Sequence, residues 1–365
     1  MREFYKTSYL AKTGKFILVT IFLLLVAGKL LIPEFEGGID KQPFSVKGIC
    51  IKYDDNPAVR DFFNAIRSNN GVLVLGTSET TEVTNGNYYD FLNSDHAMKT
   101  KFSLLAGAGR TCGLYIPLFL KHVDELNGLK LIYFINPVYW RTDLCKVSTA
   151  YWNRYSIVNL CNSVSGDENA RYFGPVREYV DKLNFLSMAG FSAEYYIRKI
   201  RESYFNHLNF IIDPDLYNEQ FVYYPESSSL NNFENFGKID LRNIDTVWNI
   251  DKSFKNKEWF KSIDKSVNYR YEELTAFVRL CKDLKIDATF IVGPYNQRFI
   301  EKYSPGDLPG YIEVTENIKK LLDGEGARYI DATDISNVAG TFIDHQHHSS
   351  YGAYLIYLKI KEQYQ

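Results

Sequence analysis

Ser78 stands in the run Gly76-Thr77-Ser78-Glu79, directly after the apolar stretch Gly71-Val72-Leu73-Val74-Leu75, and Asp344-His345-Gln346-His347 lies close to the other end of the chain. Serine is a poor nucleophile until a base takes its proton, and an imidazole oriented by a carboxylate supplies that base in the required tautomer. Asp344 and His347 are three apart on a turn ahead of a helix, so both can face one cleft, and with Ser78 they make a candidate catalytic set. A serine at the carboxyl end of a strand also offers its own backbone N–H to a developing oxyanion. Taken alone, a serine in that place is more often a helix N-cap. His345, His347 and His348 cluster as metal ligands do, yet no Cys or Glu completes a tetrahedral set, and the reading is of a site with neither metal nor cofactor.

These residues need a scaffold that brings position 78 to position 347. The run 71–75 is a continuous apolar stretch, the pattern of a strand buried on both faces of a parallel sheet. Residues 129–135, LKLIYFI, repeat it after a helix over about 113–126, and ATFIV at 288–292 repeats it after a helix over about 269–284. Arg328-Tyr329-Ile330-Asp331 reads as the last strand, and a helix over about 350–363 closes the chain. Strand and helix in alternation build a doubly wound α/β sheet, whose crevices lie at the carboxyl edge of the strands. Between about 141 and 265 the alternation stops, and aromatic, polar segments with helical stretches read as an insertion that covers or borders the cleft.

With 45% hydrophobic and 24% charged residues the chain is globular in composition, and at 365 residues it can hold one large domain with insertions. A net charge of -2, with no basic stripe, excludes nucleic acid as the expected partner. The five cysteines are scattered without a C-x-x-C pair; Cys145 and Cys161 flank one segment and can bridge in an oxidising compartment, but buried free thiols are the preferred reading. Residues 16–32, FILVTIFLLLVAGKLLI, match the length of a membrane span, and Lys29 sits near enough to its end to reach the headgroups. Arg2, Lys6, Lys12 and Lys15 precede this run, whereas Glu34, Glu36 and Asp40 follow it, which sets the N-terminus in the cytoplasm and everything after it outside. A cleaved signal peptide ending near Val26-Ala27-Gly28 competes, but Leu30, Leu31 and Ile32 continue the span. The expected organisation is a cytoplasmic N-terminus (1–15), a single transmembrane anchor (16–32), a stalk with its leading helix (33–70) and the α/β domain (71–365).

A serine early and Asp-x-x-His late is the order of the SGNH (GDSL-like) hydrolases, and within them the chain resembles the DltD family of lipoteichoic acid D-alanylation. Four stretches carry the resemblance: Gly76-Thr77-Ser78-Glu79; Leu105 to Gly113 with the helix and LKLIYFINPVYW that follow; Gly293-Pro294-Tyr295-Asn296; and Asp344, His347 and Gly352. The N-terminal anchor agrees. The stretch Asn136-Pro137-Val138-Tyr139-Trp140 departs from the family's Ser-Pro-Gln-Trp-Phe, and Arg110 and Cys112 stand in the glycine-rich loop where smaller or amide residues are expected. The resemblance implies a three-layer α/β/α domain with a parallel sheet and a large helical insertion. It also implies a serine esterase, thioesterase or acyltransferase outside the cell membrane, with oxyanion donors from Ser78, Gly107 and Gly109. Its implied partners are the membrane, a membrane-bound O-acyltransferase, an acyl carrier and a cell-envelope polymer that accepts the acyl group. The other class it leaves open is a non-catalytic assembly factor that holds an acyl carrier or polymer in the same cleft.

Overall fold

The computed structural model describes residues 12–23, 45–47, 57–81, 87–95, 97–106, 111–146, 258–260 and 268–364, with short helical pieces between 171 and 193. Each apolar run singled out in the sequence is a strand: β2 (Val72–Gly76), β4 (Lys130–Ile135) and β5 (Asp287–Val292), with β6 (Arg328–Asp331) following. Two more join them. Phe102–Ala106 forms β3, wholly buried, and Ser45–Lys47 forms β1, a short edge strand within the stretch expected to be a polar stalk. The glycine-rich loop therefore follows a strand that the sequence pattern did not single out; Ser103 and a length of five residues hide the run among polar neighbours.

Among the described residues the six strands of the sheet are all parallel, in the order β1-β3-β2-β4-β5-β6. The chain leaves β2 toward one side to make β3, then returns to the other side to make β4, so the winding reverses beside β2. Alternate side chains divide between two cores because successive residues of a strand point to opposite faces. Leu73, Leu75, Leu131, Tyr133, Phe290 and Val292 face one layer, where α1 (Pro57–Ser68), α4 (Cys112–Lys121), α6 (Tyr269–Asp283) and α8 (Leu308–Gly324) pack. Val72, Val74, Leu104, Ile132, Phe134 and Ile291 face the other, against α3 (Tyr88–Ser94) and α9 (Ser350–Tyr364). The described part of the domain also holds the helices α2 (Ser78–Thr81), α5 (Val123–Leu126) and α7 (Gln297–Tyr303). The single helix expected over 113–126 is two, broken at His122, whose ψ of 37 leaves the helical range.

Residues 12–23 are helical, and among the described residues no helix is long and apolar enough to cross a membrane. The second half of the expected span, 24–32, lies outside the described residues, and so does most of the expected insertion at 141–265.

Candidate active site

At the carboxyl edge of β2 the chain turns sharply into α2. A Cβ on Gly76 would lie 2.1 Å from Thr80 Oγ1, so only glycine allows the helix to fold back this closely. Tyr115 from α4 donates its hydroxyl to the carbonyls of Gly76 (3.0 Å) and Leu105 (2.9 Å), tying the ends of β2 and β3 together. Ser78 opens α2 with 7% of its surface exposed, at the place where the winding of the sheet reverses. Open parallel sheets leave a crevice there.

The partner loop runs from Phe342 to His348, which are joined by an antiparallel bridge, into α9. Asp344 shapes it. Its Oδ1 accepts the backbone N–H groups of Gln346 (2.7 Å) and His347 (2.6 Å), while Oδ2 lies 2.6 Å from His347 Nδ1. The carboxylate fixes the proton on Nδ1, which leaves Nε2 as the acceptor, and Nε2 lies 3.0 Å from Ser78 Oγ across 269 residues of sequence. Burial opposes ionisation of Asp344, but the hydrogen bond and charge of His347 and the two backbone donors outweigh it, bringing its pKa from 3.8 down to about 2. Since the folded pKa is the lower one, the stability this ionisation supplies is present above the ordinary carboxylate range and is lost as the pH falls toward 2. Melting temperature against pH is therefore expected to fall more steeply between about pH 4 and 2 in the wild type than in Asp344→Asn; equal slopes would show that the carboxylate is not held this way.

The same loop is pinned from the end of β5. Asn296 donates its side-chain amide to the Asp344 carbonyl (2.8 Å) and its backbone N–H to the His345 carbonyl (3.3 Å), while its Oδ1 accepts from Phe299 N (3.0 Å). Gly293 permits the approach, because a Cβ there would meet the Phe134 ring at 2.4 Å. Gln346 places its amide nitrogen 3.2 Å from His347 Nε2, beside the serine hydroxyl.

The three neighbouring histidines diverge. His345 lies among the rings of Trp259 (5.6 Å), Phe299 (5.8 Å) and Tyr295 (6.0 Å), where burial lowers its pKa to about 4. His348 is buried between Phe342 (5.2 Å) and Phe134 (5.5 Å), and burial lowers its pKa to about 3. Among the described residues no group of His, Cys, Asp and Glu is placed to hold a metal ion. Gly107 and Gly109, the expected oxyanion donors besides Ser78, lie outside the described residues. Cys112, Cys145 and Cys281 are buried free thiols.

Glu79, Asn136 and Asn296 stand within the motifs named from sequence, but sequence reasoning assigns none of them a role. Glu79 is buried beside Ser78 and accepts from Thr77 N (3.0 Å), from the Thr77 hydroxyl and from Asn136 Nδ2 (2.9 Å). An amide at the end of one buried strand and an acid at the end of its neighbour were the available signal.

The fold is thus an α/β domain around a parallel sheet, with a Ser–His–Asp relay at the carboxyl edge of its strands. Residues 243–362, about a third of the chain, match the family model described as DltD protein, and over that stretch the chain is similar to the family. The matched stretch contains Asp344 and His347 but not Ser78. Among solved structures, an extracellular lipase from Streptomyces rimosus is similar at 11% identity and a TM-score of 0.32, covering 80% of this chain and 98% of the lipase. A likeness at that level carries no argument about chemistry. No curated protein matches the sequence.

Proposed function

We propose that the chain is a membrane-anchored, extracytoplasmic serine hydrolase or acyl-transfer protein of the SGNH type. Its role on this reading is DltD-like, in D-alanylation or other acylation of a cell-envelope polymer. The observation that carries the chemistry is the continuous relay Asp344 Oδ2, His347 Nδ1, His347 Nε2, Ser78 Oγ, with distances of 2.6 and 3.0 Å. In this scheme Ser78 attacks an acyl carbonyl of an ester or thioester while His347 takes the hydroxyl proton. The oxyanion meets the Ser78 backbone N–H at the start of α2 and donors from the loop at Gly107 and Gly109. His347 then returns its proton to the leaving group, and water or a polymer hydroxyl completes the transfer from the acyl-serine. The DltD match supports an acyl group and an envelope polymer as the substrate classes, and an acyl carrier and a membrane-bound O-acyltransferase as partners. The anchor at 16–32 and its basic flank support the outward placement of the site.

One experiment separates the parts. A fluorophosphonate too polar to cross membranes, added to intact cells expressing the protein, is expected to label the wild type and spare Ser78→Ala. Labelling that appears only after lysis overturns the external location. Failure to label in a lysate overturns the nucleophile, and leaves the cleft as a holder of carrier or polymer without catalysis.

A further inference from the structure

The turn that carries Ser78 is held by a side chain of its own. Glu79, 1% exposed, folds back over the residue before the serine and takes both donors of Thr77. Its Oε2 also accepts from Asn136, which is 3% exposed and follows the last residue of β4. Asn136 is anchored in turn, because its Oδ1 accepts from Val138 N (3.0 Å) as the cap of the short helix Pro137–Trp140. The bond from Glu79 to Asn136 thus spans the two strand ends that border the crevice, 57 residues apart in sequence.

Resting on the nucleophile reading above, we propose that Glu79 and Asn136 are positioning residues, an acid–amide clamp that sets the attack position of Ser78 relative to His347. The two halves of the relay have separate supports. Asn296, after β5, fixes the loop of the base, and the clamp between β2 and β4 fixes the nucleophile. Burial raises the Glu79 pKa, and the donors from Thr77 and Asn136 partly offset this. A buried acceptor site facing only donors is costly to disturb, since any replacement that presents a donor leaves two N–H groups opposed. Serine attack is sensitive to placement on this scale, with about 1 Å of displacement costing roughly a hundredfold in rate.

The donor pattern permits a test by exchange. In Glu79→Gln the new amide N–H can donate to the Thr77 hydroxyl but opposes the Asn136 amide. Adding Asn136→Asp turns that opposition into a hydrogen bond, and the second aspartate oxygen still accepts from Val138 N. The rate constant for labelling of Ser78 by a small fluorophosphonate is expected to fall roughly 10- to 100-fold in Glu79→Gln. It is expected to recover to within about threefold of wild type in the double variant, because the two positions act as a coupled pair. Asn136→Ala, which leaves Glu79 in place, is expected to match the loss and covers the case in which Glu79→Gln fails to fold. A Glu79→Gln or Asn136→Ala protein that labels at the wild-type rate overturns the clamp, as does a double variant no faster than the slower single. A wild type that does not label removes the nucleophile reading and the clamp with it, so the two failures are told apart.

Discussion

Ser78→Ala and His347→Ala are each expected to lower turnover of an ester or thioester substrate by roughly four to six orders of magnitude, and the double variant by little more than either. The reason is the short Nε2–Oγ separation of 3.0 Å: removing the hydroxyl leaves the base nothing to activate, and removing the base leaves a hydroxyl that ionises far above neutral pH. Asp344→Ala is expected to cost less, since the imidazole remains beside the serine and loses only its orientation and fixed tautomer. Ser78→Ala should keep the wild-type circular dichroism and melting behaviour near neutral pH, whereas Asp344→Ala, which loses the carboxylate that holds the loop, should keep the fold but melt lower. Steady-state kinetics settle the matter: undiminished activity in Ser78→Ala, or strictly multiplicative losses in the double variant, would mean that serine and histidine do not act as one unit.

Glu273→Ala is expected to destabilise the fold by about 3 to 5 kcal/mol, more than any surface change, because it strands a buried cation. Arg270 and Glu273 form an ion pair at 2.6 Å with side chains 2% and 0% exposed. Neither is satisfied by the other alone. Arg270 also donates to Thr111 Oγ1 (3.2 Å) and the Leu144 carbonyl (3.1 Å), and Glu273 Oε1 accepts from Gly113 N at 2.5 Å. The pair thereby holds the first turn of α4, the helix that follows the glycine-rich loop. Gly113 has to be glycine for this, since a Cβ there would lie 2.7 Å from Glu273 Oε1. Replacing both partners with apolar residues of similar size, Arg270→Met with Glu273→Leu, is expected to restore most of the stability lost by the single change. Urea unfolding of the three proteins measures this; a single variant within about 1 kcal/mol of wild type would show that water reaches the pair.

The strands most easily read from sequence were those with continuous apolar runs. Leu73 to Leu75 and Leu131 to Ile135 are buried on both faces and carry no polar interruption, so they announce themselves. Phe102–Ala106 is equally buried, but Ser103 divides a run of five, and Ser45–Lys47 pairs only at the edge of the sheet, where three residues leave no periodicity. The relay residues were legible because their chemistry is unusual in combination. Glu79, Asn136 and Asn296 were not, because each acts through a hydrogen bond to a residue that is distant in sequence or through its backbone, and neither leaves a local pattern. His345 and His348 cluster with His347 in the sequence, and their burial among aromatic rings sets them apart from it.

β4 and β5 are adjacent in the sheet, yet residues 136–286 of the chain lie between them, and Ser78 waits for a partner 269 residues later. Pairings so distant close slowly, because the entropy of the long loop is lost before the contacts form. During synthesis from the N-terminus, β1 to β4 can pair while one edge of β4 stays open, its Leu131 to Ile135 awaiting β5. Such an edge is a hazard for aggregation and a natural point for chaperone attention. On the proposed reading the serine also emerges long before its base, so a nascent chain is expected to stay chemically silent until the segment that holds Asp344 and His347 has folded against it.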